Sequence, residues 1–340
     1  MNDVAKEAGV SKNTVSLVLK NDPQIPRRTA VRIRRIAARL GYRKNATVAR
    51  LMAALRASGE QGARATIGLL NAHRDRNAFR AHPTIPAYVA GCRRRAAELG
   101  YGVDEFWMHD PSLGGETLNS ILRARGIPGI IVVGLMSGNE LPSDFLATWT
   151  GYPCVVTGVR TRRPALSFAC VDHHDLVRQA FEKVIAFGYE RPALVLDGRI
   201  DELVDGRFSA GFEVAQRCLR RGYRLRSFYD VSRARSEPAL FRKWFEREKP
   251  DAILTLYREV RTWLEGLNVY VPRDAGLVQL ELRENDSLWA GMNQHNDITG
   301  EAAVEMLVAM IQNGESGIPE FPRATMISSS WVDGCTLRMP

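Results

Sequence analysis

Lys12, Asn13, Ser16 and Leu17 are the residues of this 340-residue chain best suited to reading another molecule. A lysine can bond guanine, an asparagine can bond adenine bidentately, and a leucine offers apolar contact, for example to a thymine methyl. Their spacing puts them on the outer face of a short helix. Val10, Val15, Val18 and Leu19 supply its inner side, and Ser11 can cap it by accepting a hydrogen bond from a free backbone N–H. A preceding helical pattern has its own apolar stripe, Val4, Ala5 and Ala8, and Gly9 stands between the two. This is the layout of a helix-turn-helix, whose second helix enters the major groove with its N-terminal residues at base edges. Ile33, Ile36, Ala37 and Leu40 recur at helical spacing, with Thr29 near the start and Gly41 at the stop. They predict a third helix that completes a small core.

The charge is distributed as that reading requires. Residues 1–64 hold 14 Lys and Arg against 4 Asp and Glu, whereas residues 65–340 hold 33 against 34. The whole basic excess therefore lies in the first fifth of the chain, with Arg27, Arg28, Arg32, Arg34, Arg35 and Arg39 around the third helix. A basic helix face is often only a solvated surface. Concentrated beside a recognition helix, it favours a surface that tracks phosphates.

The run Asp3-Val-Ala-Lys-Glu-Ala-Gly-Val-Ser11, continued by Thr14-Val-Ser16 and Val18-Leu19, resembles the opening of the LacI/GalR transcription factors. Leu40-Gly-Tyr-Arg-Lys-Asn45 resembles the segment that follows, with Lys44 where Pro is usual. The resemblance implies DNA contacts from Lys12, Asn13, Thr14, Ser16, Leu17 and Asn45. It also implies a hinge helix over 46–56 that orders on DNA and inserts Leu51 into the minor groove, with Met52 the neighbouring alternative. An apolar wedge of this kind unstacks one base step, and the bend admits more backbone contact. Residues 46–56 have high helix propensity but are too few to be stable alone, and a plain linker helix is the other reading. The chain departs from the family at Leu17, where Arg is usual, so no family operator sequence transfers to it. A Thr that commonly caps the first helix would fall before Met1, which leaves Asn2 or Asp3 to cap.

Composition bounds the remainder. Apolar residues make up 45% of the chain, enough for two or three globular domains. No apolar run approaches a membrane span, and helix-turn-helix sequence begins at once, so neither a membrane nor a signal peptide is expected and the localisation reads as cytoplasmic. Cys92, Cys154, Cys170, Cys218 and Cys335 are scattered and odd in number, and read as buried thiols outside any disulfide or zinc framework. The adjacent His173 and His174 would point in different directions on a helix, and no metal or cofactor is expected. No GxGxxG or GxxxxGK[ST] motif is present to cradle a nucleotide phosphate.

Residues 57–64 make the one clear linker. Beyond it strands and helices alternate: Thr66–Asn71, Ile85–Leu99, Val103–Met108, Glu116–Arg125 and Gly129–Gly134 open the series. Cys154–Thr157, Phe168–Val171, Leu176–Phe187, Ala193–Leu196, Arg207–Arg220 and Leu225–Tyr229 continue it. Pro238–Glu248, Ala252–Leu256, Glu259–Gly266 and Gly276–Leu280 complete it. Such alternation implies doubly wound parallel sheets, with ligands at strand C-terminal ends. The fold class is thus a small all-α headpiece plus an α/β core of two parallel-sheet subdomains.

The core also resembles the LacI/GalR family, whose fold is shared with periplasmic sugar-binding proteins. Ala96–Tyr101, Arg125–Val132, Cys170–His173, Phe187–Arg191 and Val271–Asp274 carry that likeness. It implies a headpiece over 1–45, a hinge and linker over 46–64, and a core over 65–340. Three crossovers would divide the core into one subdomain of 65–163 with 293–325 and another of 164–292 with 326–340. It further implies an effector site, for which His73, Arg74, Ser137, Asp172, Arg207, Tyr257 and Glu281 are the candidates. Arg207 precedes Gly211-Phe212 by one residue more than the family spacing, and Glu281 stands where the family has Asp. Leu256-Tyr257 replaces a frequent Asn-Asp. Each has a plainer reading: a salt bridge for Arg207, a helix cap for Asp172, a solvated loop for His73 and Arg74. Met136 and Trp289 are weaker candidates.

Three classes of function compete. A sugar-binding protein explains the core but neither the basic headpiece nor its helix-turn-helix. An enzyme would need a nucleophile elbow, a metal set or a carboxylate pair, and none is found. The reading that covers the chain is a sequence-specific regulator, a repressor by family default. It would bind a palindromic double-stranded DNA operator as a homodimer. A small-molecule effector, a carbohydrate in the commonest family case, would control its affinity.

Overall fold

The structure is a computed structural model, and residues 2–19, 25–40, 65–220, 223–283 and 288–338 are described. The headpiece consists of α1 (Asn2–Ala8), α2 (Lys12–Leu19) and α3 (Arg27–Arg39). Val4, Ala5, Ala8, Val15, Val18, Ile33 and Ala37 form its buried core, with Val10, Ile25, Ala30 and Ile36 packed against them. The expected third helix is present, but Leu40 at its end is exposed.

In the core, chain order begins β1 (Thr66–Asn71), α4 (Ile85–Glu98), β2 (Gly102–Trp107), α5 (Gly115–Arg125) and β3 (Ile130–Val133). It continues β4 (Cys154–Thr157), β5 (Ser167–Val171), α6 (His173–Ala186), β6 (Pro192–Val195), α7 (Arg207–Ala215) and α8 (Ala239–Glu248). It ends β7 (Ala252–Thr255), α9 (Glu259–Glu265), β8 (Gly276–Gln279), β9 (Ala290–Asn293), α10 (Asn296–Asn313), β10 (Ala324–Ile327) and β11 (Ser330–Val332). One sheet has the order β10-β5-β4-β3-β1-β2 and is parallel throughout. The other has the order β11-β9-β8-β7-β6, parallel except for β11, which pairs antiparallel with β9 at the edge.

The sheets correct the expected subdomain borders. β5 pairs in parallel register with β4, Val156 opposite Phe168, so the first lobe extends through Val171 and not to 163. The first crossing therefore falls at Asp172, where α6 begins against the second sheet. β10 lies wholly in the first sheet because Ala324–Ile327 pairs with Phe168–Val171, which moves the last crossing beyond 327. The strand expected over Leu225–Tyr229 is reduced to single bridges, Val195 to Phe228 and Asp197 to Asp230. Arg207–Arg220 is helical only through Ala215, followed by a tighter turn over Gln216–Cys218. Of the cysteines, Cys92, Cys154 and Cys170 are buried free thiols as expected, but Cys218 and Cys335 are exposed. Among the described residues no helix is long and apolar enough to cross a membrane.

Candidate nucleic-acid interface and ligand cleft

The headpiece holds α2 in place through short-range bonds. Thr14 N–H donates to Ser11 Oγ at 3.0 Å, so Ser11 is the cap the sequence calls for, and the two hydroxyls lie 2.8 Å apart. Gly9 has φ +61°, a left-handed conformation that only glycine adopts freely, and Val10 N–H returns to Ala5 O at 3.1 Å to end α1. Arg32 Nη2 donates to Ala8 O at 3.1 Å and Arg34 Nη2 to Val18 O at 3.4 Å. These two cations satisfy terminal carbonyls of α1 and α2, where the helix dipole is negative. Arg39 pairs with Glu7 of α1. Half of the α3 arginines are thus structural staples, and Arg27, Arg28 and Arg35 remain on the exposed surface.

On α2 the described side chains among the candidates are Thr14, half-buried and bonded to Ser11, and Leu17, half-buried. Lys12, Asn13 and Ser16 lie on the same helix, with side chains outside the described ones. Asn45, Leu51 and the whole hinge lie outside the described residues.

In the core, five effector candidates sit just past strand C-terminal ends: His73 after β1, Ser137 after β3, Asp172 after β5, Tyr257 after β7 and Glu281 after β8. This is where parallel sheets present ligands, because the loops there diverge and leave a crevice. Glu281 is half-buried. Asn296 Nδ2 donates to its Oε1 at 3.0 Å and Thr84 also bonds its carboxyl. Burial pushes that carboxyl above the usual carboxylate range, against the opposing effect of Thr84, Arg283 and Asn296. Glu281 lines a cavity of about 970 Å³ that takes Thr84, Ala87 and Arg94 from the first lobe and Arg258 and Arg283 from the second. The Tyr88 phenol, raised by burial, feels both Glu281 and Cys170.

Cys170 leads to the second group. Arg207 Nη1 donates to Cys170 Sγ at 2.9 Å, its Nε donates to Val204 O at 2.9 Å, and Phe168 lies 5.9 Å from its Cζ. Asp172 lies within electrostatic reach of Cys170, whose thiol burial raises and Arg207 lowers. The joint between lobes is thus a seam with two separate polar pairs, Arg207 with Cys170 and Glu281 with Asn296. His173 lies beneath it, buried against Phe208 with ring centroids 4.5 Å apart, and burial with Arg207 pushes its imidazole down to about 3.

The remaining candidates separate. Asp172 Oδ1 accepts from Asp175 N–H at 3.1 Å and is the cap of α6, its plainer reading. Arg207 forms no ion pair with any described carboxylate, contrary to its own. His73 Nδ1 accepts from Asp75 N–H at 3.0 Å, and its ring meets His82 at 5.2 Å. Tyr257 spends its hydroxyl on Asp197 N–H at 3.3 Å, with Arg235 over its ring. Arg74 and Ser137 are exposed loop residues. Trp289 is half-buried against the second-lobe core under Arg261. Tyr88, Cys170, Thr84, His82, Arg283 and Asn296 had no sequence signal. Cys170 reads as a buried thiol, and the long-range fold alone brings it to Arg207.

Comparison with known proteins now bears on this geometry. Residues 1–45 match the model of bacterial regulatory proteins of the lacI family. The headpiece therefore carries a domain of that family. The HTH-type transcriptional regulator MalR of Streptococcus pneumoniae is 25% identical over 193 residues, 57% of this chain and 55% of that protein. The chain thus spans about half the length of the curated relatives it matches. Among solved structures, the transcriptional regulator CelR–cellobiose complex has a TM-score of 0.59 at 20% identity, covering 98% of both chains. The lac repressor dimer bound to operator and the anti-inducer ONPF has a TM-score of 0.58 at 19% identity, covering 98% of this chain and 97% of that one. These likenesses show the fold, a helical headpiece followed by a two-sheet α/β core.

Proposed function

We propose that this protein is a lacI-family regulator, a cytoplasmic repressor that binds a palindromic double-stranded DNA operator as a homodimer and is switched by a small-molecule effector. The observation that carries the reading is the pairing of a basic headpiece, whose α2 is capped by Ser11 and tied down by Arg34, with a polar seam between two lobes. One headpiece contacts one half-site, so a two-fold dimer matches a palindrome. Lys12, Asn13, Thr14, Ser16 and Leu17 would face the major groove, Asn45 would follow them, and Leu51 in the hinge would enter the minor groove. A ligand in the seam changes the angle between lobes, and with it the separation of the two hinges. A carbohydrate is the plainest effector class, since the CelR structure is a complex with cellobiose.

The test is selection of genomic DNA fragments by the purified full chain at physiological salt. A shared palindrome supports the reading. Only nonspecific, salt-sensitive retention of DNA, unchanged by metabolites extracted from the producing cells, would refute it.

A further inference from the structure

The open edge of the first sheet carries a cavity apart from the inter-lobe cleft. Its volume of about 510 Å³ suits a small molecule, and every residue that lines it lies between Asn71 and Arg125, in the first lobe. β2 is the edge strand there, and its last residues, Phe106 and Trp107, join Phe79, Leu113 and Ile121 as an apolar lining. Arg76 and Arg80 also line the cavity, on the segment that follows β1. Both are exposed, because Ala78 and Phe79 between them turn into the core.

The segment that bears the two arginines is tied down from beneath. The buried Asn71 side chain donates from Nδ2 to Asp75 O and Arg76 O, at 3.2 Å each, and its Oδ1 accepts from His73 N–H at 3.0 Å. Trp107 Nε1 donates to His73 O at 3.0 Å, and Arg76 Cζ lies 5.8 Å from the Trp107 ring centre. The charges around the cavity are unevenly spent. Glu105 pairs with Arg93, and Arg125 Nη1 donates to Asp104 Oδ2 at 2.8 Å. Asp110 Oδ1 accepts from the Ser112 N–H and hydroxyl at 2.9 and 2.7 Å, and Arg76 lies within its electrostatic reach. Arg80 has no ion pair or side-chain hydrogen bond among the described residues.

We propose that this cavity is a second ligand site, independent of the inter-lobe cleft, for a carboxylate carried on an aromatic or branched aliphatic body. Arg80, helped by Arg76, takes the carboxylate, since the edge of a planar guanidinium matches its two oxygens. The apolar body rests on the side chains of Phe106, Trp107, Leu113 and Ile121. A single negative charge suits the site better than a phosphate dianion, because Glu105 and Asp110 also line it. Asn71 and Trp107 already hold the arginine-bearing segment, so little ordering is lost when the ligand binds.

The test titrates the full chain calorimetrically with benzoate, and with acetate and benzyl alcohol, which lack the ring and the charge respectively. Benzoate should bind wild type saturably and R80M about tenfold more weakly, the loss of one charge-assisted hydrogen bond, with R80K in between. Acetate and benzyl alcohol should each bind about tenfold more weakly than benzoate or worse. Arg80 is exposed, so R80M should melt with wild type, which separates lost affinity from lost folding. Equal benzoate curves for wild type and R80M would place the binding elsewhere and overturn the inference, as would the absence of saturable benzoate binding. Phenyl phosphate binding more tightly than benzoate would overturn the carboxylate class.

Discussion

Replacing Gly91 by alanine should destabilise the core, and the size of the effect can be worked from the crossing of α4 and α10. A Cβ on Gly91 would lie 1.8 Å from the Asp297 carbonyl oxygen, and one on Gly300 would lie 2.1 Å from the Tyr88 carbonyl oxygen. Carbon and carbonyl oxygen rest at about 3.3 Å or more, so the helices would have to part by over an ångström. Overpacking by a methylene costs about 1–3 kcal/mol where side chains can yield. Here the obstacle is helix backbone, which has no rotamer to change, so the upper end applies. Alanine recovers about 1 kcal/mol of helix propensity over glycine, leaving a net loss of about 2 kcal/mol. For a unit of this size that lowers the melting temperature by roughly 4–8 °C. Circular dichroism on G91A and G300A, with G138A as control, measures it. Gly138 meets nothing within 4 Å, so G138A should melt with wild type. A G91A chain melting within about 1 °C of wild type would refute the reasoning. The same crossing carries Cys92 Sγ to Gly300 O at 3.3 Å and the Arg94 pairs with Asp297 and Glu301, all of which the wedge would disturb.

Further outcomes follow from single groups. S11A removes the α2 cap and should cost the headpiece about 1 kcal/mol, read as faster amide exchange in α2; unchanged exchange would discard the cap. The imidazole of His173, held at about 3 when folded against an ordinary 6.5, favours the fold fully above pH 6.5, and that stability is lost as pH falls towards 3. Urea titrations should show wild type losing roughly 2 kcal/mol more than H173L between pH 6.5 and 5, and parallel curves would contradict the burial argument. L51A should weaken specific operator binding in a gel-shift titration while leaving salt-sensitive nonspecific binding nearly unchanged. Equal loss of both would remove the lever assignment.

Local rules made the headpiece legible. Ser11 and Gly9 each act within a few residues, and the apolar stripes of α1 to α3 repeat at helical spacing, so the sequence by itself determined the helix-turn-helix and the location of the basic charge. The parallel strands were legible as short runs of Ile, Val and Leu for the same reason. The longest helix, α10, was not, because Thr299, Gly300, Ala302, Ala303, Val304, Leu307, Val308 and Met310 bury it on several sides and no single apolar stripe remains. The lobe border moved from 163 to Asp172 because strand membership is settled by hydrogen bonds to β4, which no local pattern encodes. Asp172 and Arg207 were singled out by the family resemblance, and only the packed chain made one a cap and left the other with a buried, unbonded Nη2. What tertiary structure decided is the seam: Tyr88, Cys170, Arg207, Glu281 and Asn296 come from five separate segments, and their burial, which sets their chemistry, exists only once the two lobes meet.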